Sequence, residues 1–168
     1  MKTSVLTRAA VVAMAALALT ACSTINPITT SKEYQASDGV SVDLGDSAKG
    51  INMLVMTTAV EAPAVLTGSI HNSGNDELLV QITIDGVVAT DVTVAPDATV
   101  QLGTGAEQTL VQGTSPSAPG GLAPVVFSTA EVGAVAVEVP VVDGTLNPYQ
   151  DVVDTIPPLP VTSPTPTE

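Results

Sequence analysis

Residues 78–94 read LLVQITIDGVVATDVTV, and this stretch decides the fold. Its first half alternates with a period of two, with Val80, Ile82 and Ile84 on one face and Leu79, Gln81 and Thr83 on the other. That period is typical of a β-strand with one buried face. Asp85-Gly86 separates this run from a second one, and a type I′ turn needs positive φ at both of its central residues. The stretch therefore predicts a β-hairpin of strands 78–84 and 87–94.

The same pattern extends outward from the hairpin. Runs rich in Val, Ile and Thr alternate with Gly, Pro and Asp turns, which is typical of strands. Further strands are predicted at 40–44, 51–58, 64–72, 98–102, 124–128 and 134–139, and Asn72-Ser-Gly-Asn-Asp76 has the composition of a turn. Strands at spacings of roughly ten residues predict an all-β, immunoglobulin-like β-sandwich of about seven to eight strands.

Two segments do not follow the strand pattern. No stretch of ten or more residues in the domain has a clean i, i+3, i+4 apolar stripe free of Gly and Pro, so only residues 147–154 are expected to form a short helical turn. Residues 103–121 are rich in Gly, Ser, Pro and Thr, and we interpret them as a solvated loop.

The N-terminus has the pattern of an export signal. Lys2 and Arg8 precede an uncharged apolar run, 9–21, which is shorter than the roughly 20 residues of a membrane-spanning helix. The run ends in Leu19-Thr-Ala-Cys22, which resembles the bacterial lipobox. The resemblance implies that residues 1–21 are a cleaved signal peptide and that the Cys22 sulfur carries a diacylglyceryl group, with palmitate-type chains for anchoring. The alternative is a secreted protein with an incidental cysteine.

The rest of the chain divides by composition. Residues 22–37 are predicted to be a lipidated tether and residues 38–154 the β-sandwich domain. Residues 155–168 carry five of the prolines and are predicted to be a disordered Pro/Thr-rich tail.

Charge limits the classes of partner. Without the signal the chain keeps two lysines against 17 acidic residues, a formal charge of −15. Nucleic-acid binding needs basic side chains to replace counterions on phosphate, so that class is excluded. Anionic headgroups are repelled as well, so contact with the membrane is expected through the lipid anchor. The expected electrostatic partners are cations or basic protein surfaces.

No residue set forms a catalytic signature. His71 is the single histidine, no Gly-x-Ser-x-Gly motif surrounds a serine, and the single cysteine is assigned to lipid. The carboxylates that could pair for acid–base chemistry fall at predicted turns and strand ends: Asp38, Asp43, Asp46, Asp76 and Glu77. We therefore expect a protein that is not an enzyme and has no cofactor, with His71 as a strand-end histidine.

Copper is the alternative to that expectation. The soft ligands of the mature chain are His71, Met53 and Met56, and copper(I) favours methionine and imidazole. Met53 and Met56 are three residues apart, so on a strand they point to opposite faces unless a bulge intervenes. We expect one of them in the core and the other partly exposed.

Four stretches carry a family resemblance: 34–46 (YQASDGVSVDLGD), 52–56 (NMLVM), 66–74 (LTGSIHNSG) and 139–149 (VPVVDGTLNPY). Together they resemble the actinobacterial LpqE-type lipoproteins. More distantly, the layout is similar to the periplasmic copper chaperone PCuAC family, which implies a cupredoxin-like or immunoglobulin-like sandwich. That family binds copper through histidines and methionines, whereas this chain has no His-x-Met pair.

These observations lead to two hypotheses of function. The first is a lipid-anchored, non-catalytic binding or accessory module on the outer face of the cytoplasmic membrane, associated with a respiratory or cell-envelope complex. The second is a copper-binding metallochaperone of PCuAC-like type, with His71 and Met53 or Met56 as ligands. An envelope hydrolase is the third and weakest candidate.

Overall fold

The structure is a computed structural model that describes residues 37–159 and the single position Val11; the side chains at 88 and 89 lie outside the description. The signal peptide, Cys22 and most of the tether and tail therefore fall outside the described residues, and their assignments stay predictions.

Nine strands and one short helix form the domain. The strands are β1 (Val40–Asp43), β2 (Ala48–Thr57), β3 (Pro63–Asn72), β4 (Leu78–Ile84), β5 (Val87–Val94), β6 (Ala98–Leu102), β7 (Gln112–Thr114), β8 (Leu122–Thr129) and β9 (Gly133–Val142), and the helix is α1 (Gln150–Asp154). The fold is all-β, in agreement with the prediction from alternation.

The strands form two layers that share one corner. β4, β5, β8 and β9 make one antiparallel layer in the order β5-β4-β8-β9, and β2, β3 and β6 continue the path, with β1 beside β2 and β7 beside β3. The layers join where β9 runs parallel to β2, pairing Val141 with Val55. The result is a nearly closed sandwich consistent with the immunoglobulin-like or cupredoxin-like prediction.

The inner faces of both layers make the core. Its largest buried side chain is Phe127 on β8, which is 0% exposed and packs with buried aliphatic residues of both layers. Val80, Ile82 and Ile84 of the hairpin all lie in this core, as their alternation predicted. Burial of apolar area on this scale is the main stabilising contribution to a domain without disulfides.

The hairpin prediction is confirmed in its details. β4 and β5 have the predicted bounds, and Asp85 and Gly86 between them have φ of 50° and 74°. The interpretation of 103–121 as a loop is wrong in part, because Gln112–Thr114 pairs with β3 as β7. A three-residue strand containing a glycine has no alternation to reveal it.

Candidate functional site

Met53 and Met56 point to opposite faces of β2, as their spacing predicted. A shift in the β2–β3 register between Ile51 and Leu54 leaves the alternation after it intact. Met53 lies in the core between the layers, whereas Met56 points to the outer face with Leu54. The expectation that one of the two methionines is partly exposed is wrong, since both are 0% exposed. The reason is that the segment after β9 covers the outer face of β2.

His71 lies on the outer face of the same layer. It is the penultimate residue of β3, between Lys49 of β2 and Thr99 of β6 in direct register. Its Nδ1 is 2.9 Å from the Thr99 hydroxyl oxygen. The side chain is half-exposed beside a shallow depression of about 280 Å³ that Asp43 and Asp46 also line.

The structure therefore does not bring the three soft ligands together. Met53 is inside the sandwich, while His71 and Met56 are on its outside and line different depressions. Within the described ranges, no three His, Cys, Asp or Glu side chains are grouped closely enough to hold a metal ion. The same residues contain no helix with the length and hydrophobicity of a membrane span.

A second feature is the end of the sandwich where four turns meet. These turns are 44–47, 73–77, 95–97 and 130–132, which connect β1–β2, β3–β4, β5–β6 and β8–β9. We call this end the loop end. It is held by bonds between turns: Ser73 N donates to Ser47 O at 2.7 Å, and Asp97 N donates to Gly74 O at 3.2 Å.

Asn72 organises the loop end from inside. The side chain is 2% exposed, and its Nδ2 donates to the carbonyl oxygens of Asp76, Val94 and Ala95 at 2.8, 3.2 and 3.2 Å. Its Oδ1 accepts from Gly74 N at 2.9 Å. A buried polar side chain is stable only when its donors and acceptors are satisfied in this way.

Glu131 ties the two layers together at the loop end. Its Oε1 accepts a hydrogen bond from Asp46 N at 3.0 Å. The side chain also packs on Gly45, where an added Cβ would lie 2.3 Å from Glu131 Oε2. Gly45 has a φ of 128°, so glycine is required there for backbone conformation and for space.

An acidic cleft of about 590 Å³ opens at the loop end. Four carboxylates line it, from Asp76, Glu77, Asp91 and Glu131, together with the amides and hydroxyls of Ser47, Asn72, Asn75, Gln81, Ser128 and Thr129. Among the described residues the one ion pair lies outside it, between Lys49 Nζ and Asp43 Oδ1 at 3.9 Å. The cleft therefore concentrates negative charge that the described chain does not neutralise.

Little in the local sequence predicts this cleft. Asp76 and Glu77 are adjacent acids at a turn just before β4, whereas Asp91 and Glu131 come from β5 and from the turn after β8, in distant parts of the chain. Their convergence depends on the antiparallel pairing of β4 with β5 and with β8. The Asn72-Ser-Gly turn composition was the one local sign that this end would be structured.

Comparison with known proteins finds only distant structural similarity. No family model and no curated protein matches the chain. It is similar to the solved structure "Copper-bound PCuAC domain from PmoF2", with 15% identity and a TM-score of 0.48 over 62% of this chain and 98% of that one. It is also similar to "Apo PCuAC domain from PmoF1", with 15% identity and a TM-score of 0.47 over 61% and 98%. At these values the similarity is distant, and no residue role follows from it.

Proposed function

We propose that this chain is a lipid-anchored, non-catalytic binding module on the outer face of the cytoplasmic membrane, and that its acidic loop end engages a basic segment of a membrane-protein or cell-envelope partner. The observation that carries the proposal is the cleft lined by Asp76, Glu77, Asp91 and Glu131. Clefts lined by one sign of charge focus the field and raise the local concentration of oppositely charged groups.

The cleft has the properties of a docking site of this kind. Its walls are fixed before binding by the Asn72 and Glu131 hydrogen bonds, so little ordering accompanies association. Its amides and hydroxyls, including Gln81 and Ser128, can hydrogen-bond a partner chain. Lysine and arginine side chains of a partner would supply the charge that this chain lacks.

Matched charge variants test the proposal. The loop-end variant changes Asp76, Glu77 and Asp91 to their amides. The control variant changes Glu61, Asp85 and Glu107, in turns and loops at the opposite end, to theirs, with the same change in net charge. Both are used as bait with solubilised native membranes. We expect a partner bound by wild type and control to be lost from the loop-end variant and to be released by salt. Equal recovery by both variants, or no partner with wild type, contradicts the proposal.

The lipid anchor is tested separately at Cys22. A Cys22→Ala chain should move from the detergent phase to the aqueous phase in a Triton X-114 partition, because the diacylglyceryl group is then absent. A chain that partitions with detergent despite the substitution is held by something other than this lipid.

Copper binding is the second candidate, and one observation at His71 favours it. The Thr99 hydroxyl is placed to accept from Nδ1–H, which would fix the ring and leave Nε2 as a ligand atom. Metal-binding histidines are usually oriented by such a second hydrogen bond. A copper(I) titration against a competing chelator tests it: tight binding that His71→Ala abolishes, and that a Met53→Leu control retains, would establish a site at His71. Weak binding that His71→Ala leaves unchanged excludes it.

A further inference from the structure

Part of the outer face of β2 and β3 is apolar and fully covered. Leu54 and Met56 point away from the core formed by Met53 and Val55, yet their exposures are 2% and 0%. Val65, the cross-strand partner of Met56, is also 0% exposed. Directly opposed residues share a face of a sheet, so these three side chains form one apolar patch on the outside of the sandwich. We call Leu54, Met56 and Val65 the groove floor.

The chain after β9 covers the part of the groove floor that β2 supplies, Leu54 and Met56. Residues 143–157, which we call the strap, turn back after β9 and place α1 against β2. Val152 of α1 faces Leu54 and Met56 across the groove. Gly144 permits the return, because a Cβ there would lie 3.2 Å from Val153 Cβ.

Side-chain hydrogen bonds fasten the strap at separate points. The Tyr149 hydroxyl donates to Asp38 Oδ2, and Gln112 Nε2 donates to Pro157 O. The Thr104 and Thr155 hydroxyl oxygens are 2.6 Å apart. Two of these bonds are exposed to solvent, where water competes for the same groups, so each contributes little net stability to the strap.

A depression opens beside the contact between the strap and the groove floor. It has a volume of about 320 Å³ and is lined by Leu54, Met56 and Thr67 of the strands and by Pro148, Tyr149 and Val152 of the strap, together with the amides of Asn52, Gln101 and Gln108. No charged side chain lines it, although 15 acidic residues lie elsewhere in the described domain. With five residues, α1 is too short to be stable without its packing on β2.

We propose that the strap is a displaceable cover over the groove floor, and that it opens while the sandwich stays folded. In the closed state Val152 of the strap covers Leu54 and Met56, and opening exposes both side chains. The groove floor lies on the face of β2 opposite to the core, and the proposal does not depend on the acidic cleft.

The two methionines of β2 provide the test, with Met53 as an internal control. Hydrogen peroxide transfers one oxygen atom to an accessible thioether and leaves water, and peptide mass spectrometry of the intact protein after brief exposure gives the rate at each site. Opening of the strap exposes Met56 but leaves Met53 in the core, so we expect Met56 to be oxidised at least roughly tenfold faster. Equal rates at Met53 and Met56 would overturn the proposal, because both would then report unfolding of the whole sandwich.

A strap variant and a second measurement complete the test. Thr155→Val removes the hydroxyl bonded to Thr104 and should raise the rate at Met56 severalfold while the rate at Met53 stays unchanged. Amide exchange of the unmodified protein should show Val153 and Ile156, which donate within the strap, exchanging far faster than amides of β2. A rise at both methionines in the variant, or strap amides protected as well as β2, contradicts a cover that opens alone.

Discussion

The hydroxyl of Tyr149 donates a hydrogen bond to the carboxylate of Asp38, joining residues 111 positions apart. Asp38 lies two residues before β1, and Tyr149 immediately precedes α1. The bond therefore links the beginning of the sandwich to the segment that covers its outer face. It makes the two ends of the domain neighbours, which neither terminal sequence indicates.

This hydrogen bond should make the stability of the domain depend on pH. The hydrogen bond to Asp38 is the main cause that raises the pKa of Tyr149 above its usual value of 10.0, with burial and the Asp38 charge adding to it. A folded-state pKa above the unfolded one means that the bond stabilises the domain below pH 10 and that this contribution is lost as the pH rises through the raised value. We expect Asp38→Asn to lower the Tyr149 pKa toward 10.0. Absorbance at 295 nm measures it in a Tyr34→Phe background, and an unchanged titration would contradict the assignment.

Substitution of Asn72 should lower the free energy of unfolding of the domain. Asn72→Ala removes the donors of three carbonyl oxygens at the loop end, and we expect a loss of about 1–3 kcal/mol in the free energy of unfolding. Asn72→Asp should cost more at neutral pH, because a carboxylate would then face those three oxygens. Urea denaturation measures both. The exposed Asn75→Ala serves as control and should stay within about 0.5 kcal/mol of wild type. An Asp variant as stable as the Ala variant would show that the amide donors do not matter.

Gly68 of β3 lies directly against the irregular part of β2, around Ile51 to Met53. It has a φ of +134°, and a Cβ would lie 2.8 Å from Asn52 O, 2.9 Å from Ile51 O and 2.9 Å from Met53 Sδ. Two of these atoms are backbone and cannot move away without loss of β2–β3 pairing. Gly68→Ala should therefore destabilise the domain beyond its backbone strain, by about 1–3 kcal/mol.

The control for this change is Gly120→Ala. Gly120 also has a positive φ, 89°, but nothing lies within 4 Å of an added Cβ. It therefore carries the backbone strain without the steric conflict. Equal denaturation midpoints for the two variants would show that the close approach at Gly68 does not determine stability.

Local pattern predicted the strands wherever pairing partners are near in sequence. The bounds of β4, β5 and β6 follow from alternation and from the turn at Asp85-Gly86, because period-two burial and positive φ leave direct marks in the sequence. β7 was missed since three residues around Gly113 form a strand only by pairing with β3, some fifty positions earlier.

The site was less predictable than the fold for the same reason. The opposite orientation of Met53 and Met56 follows from spacing alone. The burial of Met56 does not, because its cover comes from residues about a hundred positions later, and a partly exposed methionine was expected. The acidic cleft likewise needs Glu131, in the turn after β8, beside Asp76, in the turn before β4, a proximity set by the pairing of strands that are distant in sequence.

Placement beside the membrane is the claim on which the proposed function rests, and intact-mass spectrometry of the protein from its native envelope tests it most directly. We expect a chain that begins at Cys22 and carries the mass of a diacylglyceryl thioether, with or without a further acyl chain on the amine. A chain that retains residues 1–21, or one that begins at Cys22 with a free sulfur, would contradict it.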